Sequence, residues 1–242
     1  GIVLRGDAFK EFIESYLGPA IKRAEEQGRF AEVGMSAPKL VAPETTNLSA
    51  LSYYVSTMNN INPDTGRHDY IDVFSTHLYG SANVFNNGPA TAGTGQYPAY
   101  VRYYDRIWQT EYMTQSGRSD AAQPTQIYSN QTIDDGLYWT RFISNTLTSD
   151  PGFNAYLWWW PVANNGADGS DLIRLCHSGQ PQGIGETTNG LYRVFKRFYT
   201  IGQISRFIDP GYIRIEATRA PVSGVTIIAY KAPDGNDFSI VV

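Results

Sequence analysis

Glu111 closes a run of β-forming side chains in the segment "IWQTEY", residues 107–112, where a strand stops on an acid. A carboxylate held at a strand end can attack an electrophilic carbon or move a proton. His77 and Tyr79 lie two residues apart in "YIDVFSTHLYG", residues 70–80, so extended backbone points both to one face. Three consecutive indoles, Trp158, Trp159 and Trp160, follow in "NAYLWWWP", residues 154–161. By alternation Trp159 faces opposite to its two neighbours, so one face can stack on a flat ligand while the other packs against protein. Glu44 is a further carboxylate, behind Pro43 in "KLVAPE". Cys176 is the single cysteine, so it has no partner for a disulfide or a thiolate metal site. His68, His77 and His177 are too scattered for a zinc motif.

These residues need elements to hold them. Asp7 is a candidate N-cap for a helix with Phe9, Phe12, Ile13, Tyr16 and Leu17 on one face, interrupted at Gly18-Pro19. A charged helical stretch follows, then a short strand over 39–44 and a second helix through Leu51, Tyr54, Val55 and Met58. Strands are expected at 70–80, 106–112 and 154–161. Helices are expected near 97–105, after a capping box at Thr132, and through Leu191, Val194, Phe195, Phe198 and Tyr199. Strands and helices alternate, which predicts βα units around a parallel sheet with the candidate chemistry at the C-terminal strand ends. A doubly wound sheet would also alternate, but there is no Gly-rich phosphate turn after a strand. From residue 205 the pattern becomes β-rich, with a hairpin turn at Pro233-Asp234-Gly235-Asn236.

Composition narrows the classes. With 42% hydrophobic and 14% aromatic residues the 242-residue chain can fill a large core. A net charge of −4 gives no reason to expect nucleic acid or an anionic membrane surface as partner, and no apolar run approaches the length of a membrane helix. Dense Tyr and Trp, sparse charge and abundant Asn, Gly, Ser and Thr suit carbohydrate, which binds by ring stacking and neutral hydrogen bonds. The sequons Asn47-Leu-Ser49 and Asn130-Gln-Thr132 agree with secretion, a location that is an expectation only.

The order of segments resembles glycoside hydrolase family 30. The resemblance rests on "IWQTEY", "AYLWWW", "THLYG" at Thr76 to Gly80, and the stretch "SRFIDPGYIRI" from Ser205 to Ile215. It covers nearly the whole chain and is strongest toward the xylanases of that family. It implies an α/β fold: a partial (β/α)8 TIM barrel, about strands five to eight, over residues 1–204. Part of an antiparallel β-sandwich follows over 205–242. It implies a retaining endo-β-1,4-xylanase, with Glu111 as nucleophile, His77 and Tyr79 orienting it and touching the sugar, and Trp159 as stacking platform. No metal or organic cofactor is implied, and the partner is a polysaccharide or oligosaccharide. The family's Asn-Glu-Pro-like motif, which carries the acid/base, is not in these residues, and Glu44 resembles a Pro-Glu pair of the fifth strand that is not the proton donor. This chain alone is therefore expected to be inactive or nearly so, and self-association or pairing with a missing N-terminal half-barrel is expected. Thr188-Asn189-Gly190 stands where a basic stretch would meet glucuronate, which leaves Arg174 and Arg118 as possible substitutes. The other readings are a β-1,6-glucanase, a galactanase or a glucosylceramidase-like specificity, or a non-catalytic carbohydrate-binding remnant.

Overall fold

The computed structural model describes residues 5–62, 64–94, 97–98, 101, 104–113, 132–163, 170–175 and 192–242. The chain forms two compact units, Gly1–Tyr112 with Ser149–Leu157, and Met113–Thr148 with Trp158–Val242. The residue pair 204/205, where the barrel is expected to give way to the sandwich, falls inside the second unit.

The first unit opens with helix α1 (Gly6–Glu11), a wide π turn (Phe12–Leu17) and α2 (Gly18–Glu26). The expected break at Gly18-Pro19 is thus a widened turn within one helical run. Pro19 has no N–H, and its ring would strike the carbonyl four residues back in a regular turn. Asp7 is not the N-cap. Arg5 occupies that position, and Asp7 lies in the first turn, where a negative charge still favours the helix dipole. Gly18 has a packing reason: a Cβ there would sit 2.3 Å from the Tyr70 ring. A short α3 (Arg29–Glu32) leads to strand β1 (Val41–Thr45). Helix α4 (Leu48–Ser56) is capped by Asn47, whose side chain accepts from the Ala50 N–H at 2.9 Å. One of the two glycosylation sequons is therefore also a helix cap.

Strands β2 (Val73–Thr76), β3 (Ile107–Tyr112) and β4 (Ala155–Trp158) complete a four-stranded sheet in the order β1-β2-β3-β4. The pairings of β1 with β2 and of β2 with β3 are parallel, as the βα alternation predicts. Leu51, Val55, Val73, Phe74, Leu78 and Ile107 are buried in this unit. Gln109 is also fully buried, and its side-chain oxygen accepts from the Leu157 N–H at 3.1 Å, tying β4 to β3. Of the helix expected near 97–105, residues 99, 100, 102 and 103 lie outside the described residues, and the Val101 and Tyr104 N–H groups donate to carbonyls three residues back, at Pro98 and Val101.

In the second unit α5 (Ile133–Thr148) begins as the capping signal predicts, with the Asp135 N–H donating to Thr132 Oγ1 at 3.2 Å. It buries Trp139, Phe142 and Ile143. Two short strands that the sequence did not suggest, β5 (Val162–Ala163) and β6 (Ile173–Leu175), pair with each other, and β6 also pairs with β7 (Tyr192–Val194). The helix expected through Leu191 to Tyr199 is thereby corrected. Its first part is β7, and α6 (Lys196–Ser205) starts only after Phe195. The apolar spacing was shared between two elements, and antiparallel pairing of Ile173 with Val194 claims the first of them. Strands β8 (Ile213–Ile215), β9 (Ile228–Lys231) and β10 (Phe238–Val241) form an antiparallel sheet in the order β10-β9-β8. The Pro233–Asn236 turn joins its last two strands as expected, closed by the Ala232 N–H donating to Asp237 at 2.7 Å.

Candidate active site

Register brings the candidate residues of the first unit to one sheet edge. Pairing runs Val41 with Val73 and Phe74 with Ile107, so the three strands end side by side. Glu111 comes two residues after the last paired residue of β3, Gln109, and His77 one residue after Thr76. Strand β2 ends at Thr76, yet alternation continues past it: Leu78 is fully buried, while His77 and Tyr79 on either side are partly open. The two rings meet edge to face at 5.7 Å.

Both reach Glu111. The Tyr79 hydroxyl donates to Glu111 Oε1 at 3.0 Å. His77 Nε2 lies 3.8 Å from Glu111 Oε2. A hydrogen bond to an ionised acceptor is worth about 1.5–3 kcal/mol, which is enough to hold the carboxylate in one orientation. Glu111 keeps a quarter of its side chain exposed, so a solute can reach it. Tyr79 is itself braced by Tyr112, ring against ring at 5.4 Å, and the Tyr112 carbonyl accepts from the Tyr156 hydroxyl at 3.2 Å.

Glu44, set aside on the sequence, belongs to this cluster. The β1–β2 pairing slips between Pro43 and Thr45, which leaves Glu44 as an extra, bulged residue. Its φ of 59° is in the left-handed region, which costs a non-glycine residue about 1–3 kcal/mol. The backbone is held there by the Glu44 N–H donating to Ser75 Oγ at 3.1 Å. The carboxylate then accepts from the Thr110 hydroxyl at 2.5 Å and lies 3.3 Å from His77 Nε2. Glu44 Oε2 and Glu111 Oε2 share that nitrogen as neighbour, so they are at most roughly 7 Å apart. No sequence signal marks the bulge beyond the proline before it. Thr110 was passed over because a lone threonine in a strand carries no chemical signature.

The tryptophans belong to the second unit and differ among themselves. Strand β4 ends at Trp158, so the expected alternation does not extend over Trp159 and Trp160. Trp158 packs edge to face on Trp139 at 4.8 Å and donates from Nε1 to the Ser170 carbonyl at 2.8 Å. Trp159 and Trp160 are 38% and 40% exposed, with ring centroids 5.2 Å apart. Trp159 is therefore open to solvent, and so is Trp160. Arg174, offered as a partner for glucuronate, is buried and holds Asp171 through two 2.9 Å hydrogen bonds, under the face-on contact of Phe195 at 5.1 Å. It is committed to structure. Arg118, Cys176, His177 and Thr188-Asn189-Gly190 lie outside the described residues.

Among the described residues there is no group of three His, Cys, Asp or Glu arranged to hold a metal ion, and no helix long and apolar enough to cross a membrane.

No protein-family profile matches the chain. Among curated proteins it is similar to glucuronoxylanase XynC of Bacillus subtilis (strain 168), 23% identical over 198 residues, 80% of this chain and 36% of the relative. Among solved structures it is similar to the glycoside hydrolase family 30 subfamily 8 xylanase Xyn30A from Clostridium acetobutylicum. The TM-score is 0.57 at 21% identity, over 96% of this chain and 44% of that one. The endo-β1,6-glucanase BT3312 matches with a TM-score of 0.51 at 16% identity, over 96% of this chain and 45% of that one. The chain thus shares the α/β fold of these solved enzymes and is similar in sequence to a glucuronoxylanase. It spans about a third of the length of the curated relatives it matches.

Proposed function

We propose that the chain carries the nucleophile half of a retaining β-glycosidase acting on plant cell-wall polysaccharide, as an endo-β-1,4-xylanase. In this reading β1 to β4 are strands five to eight of a (β/α)8 barrel, residues 1–204, and the antiparallel strands of 205–242 open a side-associated β-sandwich. The reading is supported by the parallel order of β1, β2 and β3 and by the kinship with XynC. The observation that carries it is the Tyr79 hydroxyl bound at 3.0 Å to one oxygen of Glu111, at the edge of the sheet where parallel strands end.

The chemistry is a double displacement. Glu111 Oε2 bonds to the anomeric carbon as the glycosidic C–O bond breaks, and the departing oxygen takes a proton from an acid/base carboxylate. Water then cleaves the glycosyl ester and returns Glu111. Tyr79 and His77 hold the nucleophile, and Trp159 offers an indole face to a sugar ring. No Asn-Glu-Pro-like segment that would carry the proton donor lies in these 242 residues, so turnover of polymeric xylan by them is weak or absent. Pairing with a chain that supplies one, or with a second copy, belongs to the same reading. Secretion is part of the same reading, supported by the aromatic, charge-poor composition and the two sequons.

The test is a substrate whose leaving group needs no proton. The chain should release dinitrophenolate from 2,4-dinitrophenyl β-xylobioside, and Glu111→Gln should abolish the release. Binding of xylo-oligosaccharides with no release, unchanged by Glu111→Gln, would leave a carbohydrate-binding remnant instead. The fold likeness to an endo-β1,6-glucanase favours one second reading, the same mechanism on a β-1,6-glucan, and a gentiobiosyl substrate in parallel decides between them.

A further inference from the structure

Glu44 occupies a conformation that L side chains rarely adopt, at φ 59°, although its side chain is 44% exposed and no core packing requires it there. Removing the strain would be simple, since glycine adopts this backbone freely. What the strain achieves is the placement of one carboxylate between Thr110 and His77. The Thr110 hydroxyl donates to it at 2.5 Å, and the His77 Nε2 nitrogen lies within ion-pair reach at 3.3 Å. A hydroxyl donor on one oxygen and an imidazole beside it fix the direction in which this carboxylate points.

The imidazole has two acceptors within range of the same nitrogen, Glu44 Oε2 at 3.3 Å and Glu111 Oε2 at 3.8 Å. One N–H can serve only one of them well, and Glu44 is the nearer. Resting on the nucleophile reading of Glu111, we propose that Glu44 is a positioning residue that acts through His77. It draws the Nε2 proton toward itself and fixes the ring plane. Glu111 then keeps Oε1 bound by Tyr79 and Oε2 free of a short hydrogen bond for attack. Without Glu44 the imidazole turns its N–H to Glu111 Oε2 and occupies the attacking lone pair. The bulge after Pro43 is the device that brings the Glu44 carboxylate to the site, and the Ser75 hydroxyl locks it.

Two readouts test this on the whole chain, with Glu44→Gln and Glu44→Gly as variants. The glycine variant removes the carboxylate while relieving the backbone, so it should fold at least as well, with Tm unchanged or raised. The first readout is the side-chain 15N spectrum of His77, identified by its loss in His77→Asn. The Nε2 resonance should move in both variants. The second is the rate of covalent inactivation by 2,4-dinitrophenyl 2-deoxy-2-fluoro-β-xylobioside, which should fall about 10- to 100-fold, the worth of one hydrogen bond at an ionised group. It should fall little further when Glu44→Gly is added to His77→Asn, because the effect passes through the imidazole. An unmoved His77 resonance overturns the proposal whatever the inactivation rate. So does a moved resonance with unchanged inactivation, or a full additional loss in the double variant. If the wild-type chain takes no label while the resonance still moves, the contact between Glu44 and His77 stands and the glycosidase function attached to it falls.

Discussion

Breaking the buried ion pair between α5 and α6 should be the most damaging single change in the second unit. Arg197 Nε donates to Asp135 Oδ2 at 2.8 Å, with Arg197 fully buried and Asp135 3% exposed at the side chain. Burial pushes the Asp135 carboxyl up from its ordinary value while Arg197 pulls it back, and burial pushes the Arg197 guanidinium down. Both directions say that desolvation, not attraction, dominates at this site. Asp135→Ala removes the attraction and leaves the desolvation of Arg197, whose guanidinium also lies 5.6 Å from the Trp158 ring. The loss should be about 3–5 kcal/mol. At roughly 2–4 °C per kcal/mol for a chain of this size, Tm should fall by about 6–20 °C. Replacing both partners, as Asp135→Leu with Arg197→Met, removes the buried charges together and should return stability to within about 1 kcal/mol of the wild type. Urea unfolding followed by tryptophan fluorescence reads this, because Trp139 and Trp158 pack within the same unit. Loss of less than about 1 kcal/mol in Asp135→Ala, or a double variant worse than the single one, would refute the reasoning.

Other outcomes follow from the same structure. Burial alone would raise the Glu14 carboxyl, but the Asn59 and Asn60 N–H groups and His68 outweigh it and hold it below its ordinary value. A depressed acid adds stability above its unfolded pKa and loses it as pH falls through the folded one. Denaturation curves of wild type and Glu14→Gln should therefore differ near neutral pH and converge below about pH 4. Gly18→Ala should destabilise the first unit by about 1–3 kcal/mol, because its Cβ would meet Tyr70 at 2.3 Å, and Tyr70→Ala should rescue it in thermal melts. Asn47→Ala should cost about 1 kcal/mol by removing the cap of α4, while Asn47→Ser should cost less.

The legible part of this molecule was the part written in period and in strand-end chemistry. Alternating strands and helices announced a parallel sheet, and Thr132 announced the start of α5. His77, Tyr79 and Glu111 could be chosen together, because residues two apart on a strand share a face and parallel strands end at one edge. What escaped was set by tertiary contact. The slip that swings Glu44 into the cluster is a property of how β1 pairs with β2, not of the letters around it. Tyr192–Val194 carried a helical spacing and became a strand because β6 lay beside it. The interruption at Gly18-Pro19 became a wide turn because Tyr70 packs against the glycine and rewards continuing the rod. Trp159 was judged by an alternation that stops one residue earlier.

The central claim is that Glu111 is a nucleophile, and its covalent adduct tests that most directly. After incubation with the 2-fluoro-xylobioside, peptide mass mapping should find one added fluoro-xylobiosyl group on the peptide bearing Glu111, absent in Glu111→Gln. An adduct on Glu44 or on any other carboxylate, or labelling that survives Glu111→Gln, would contradict the account.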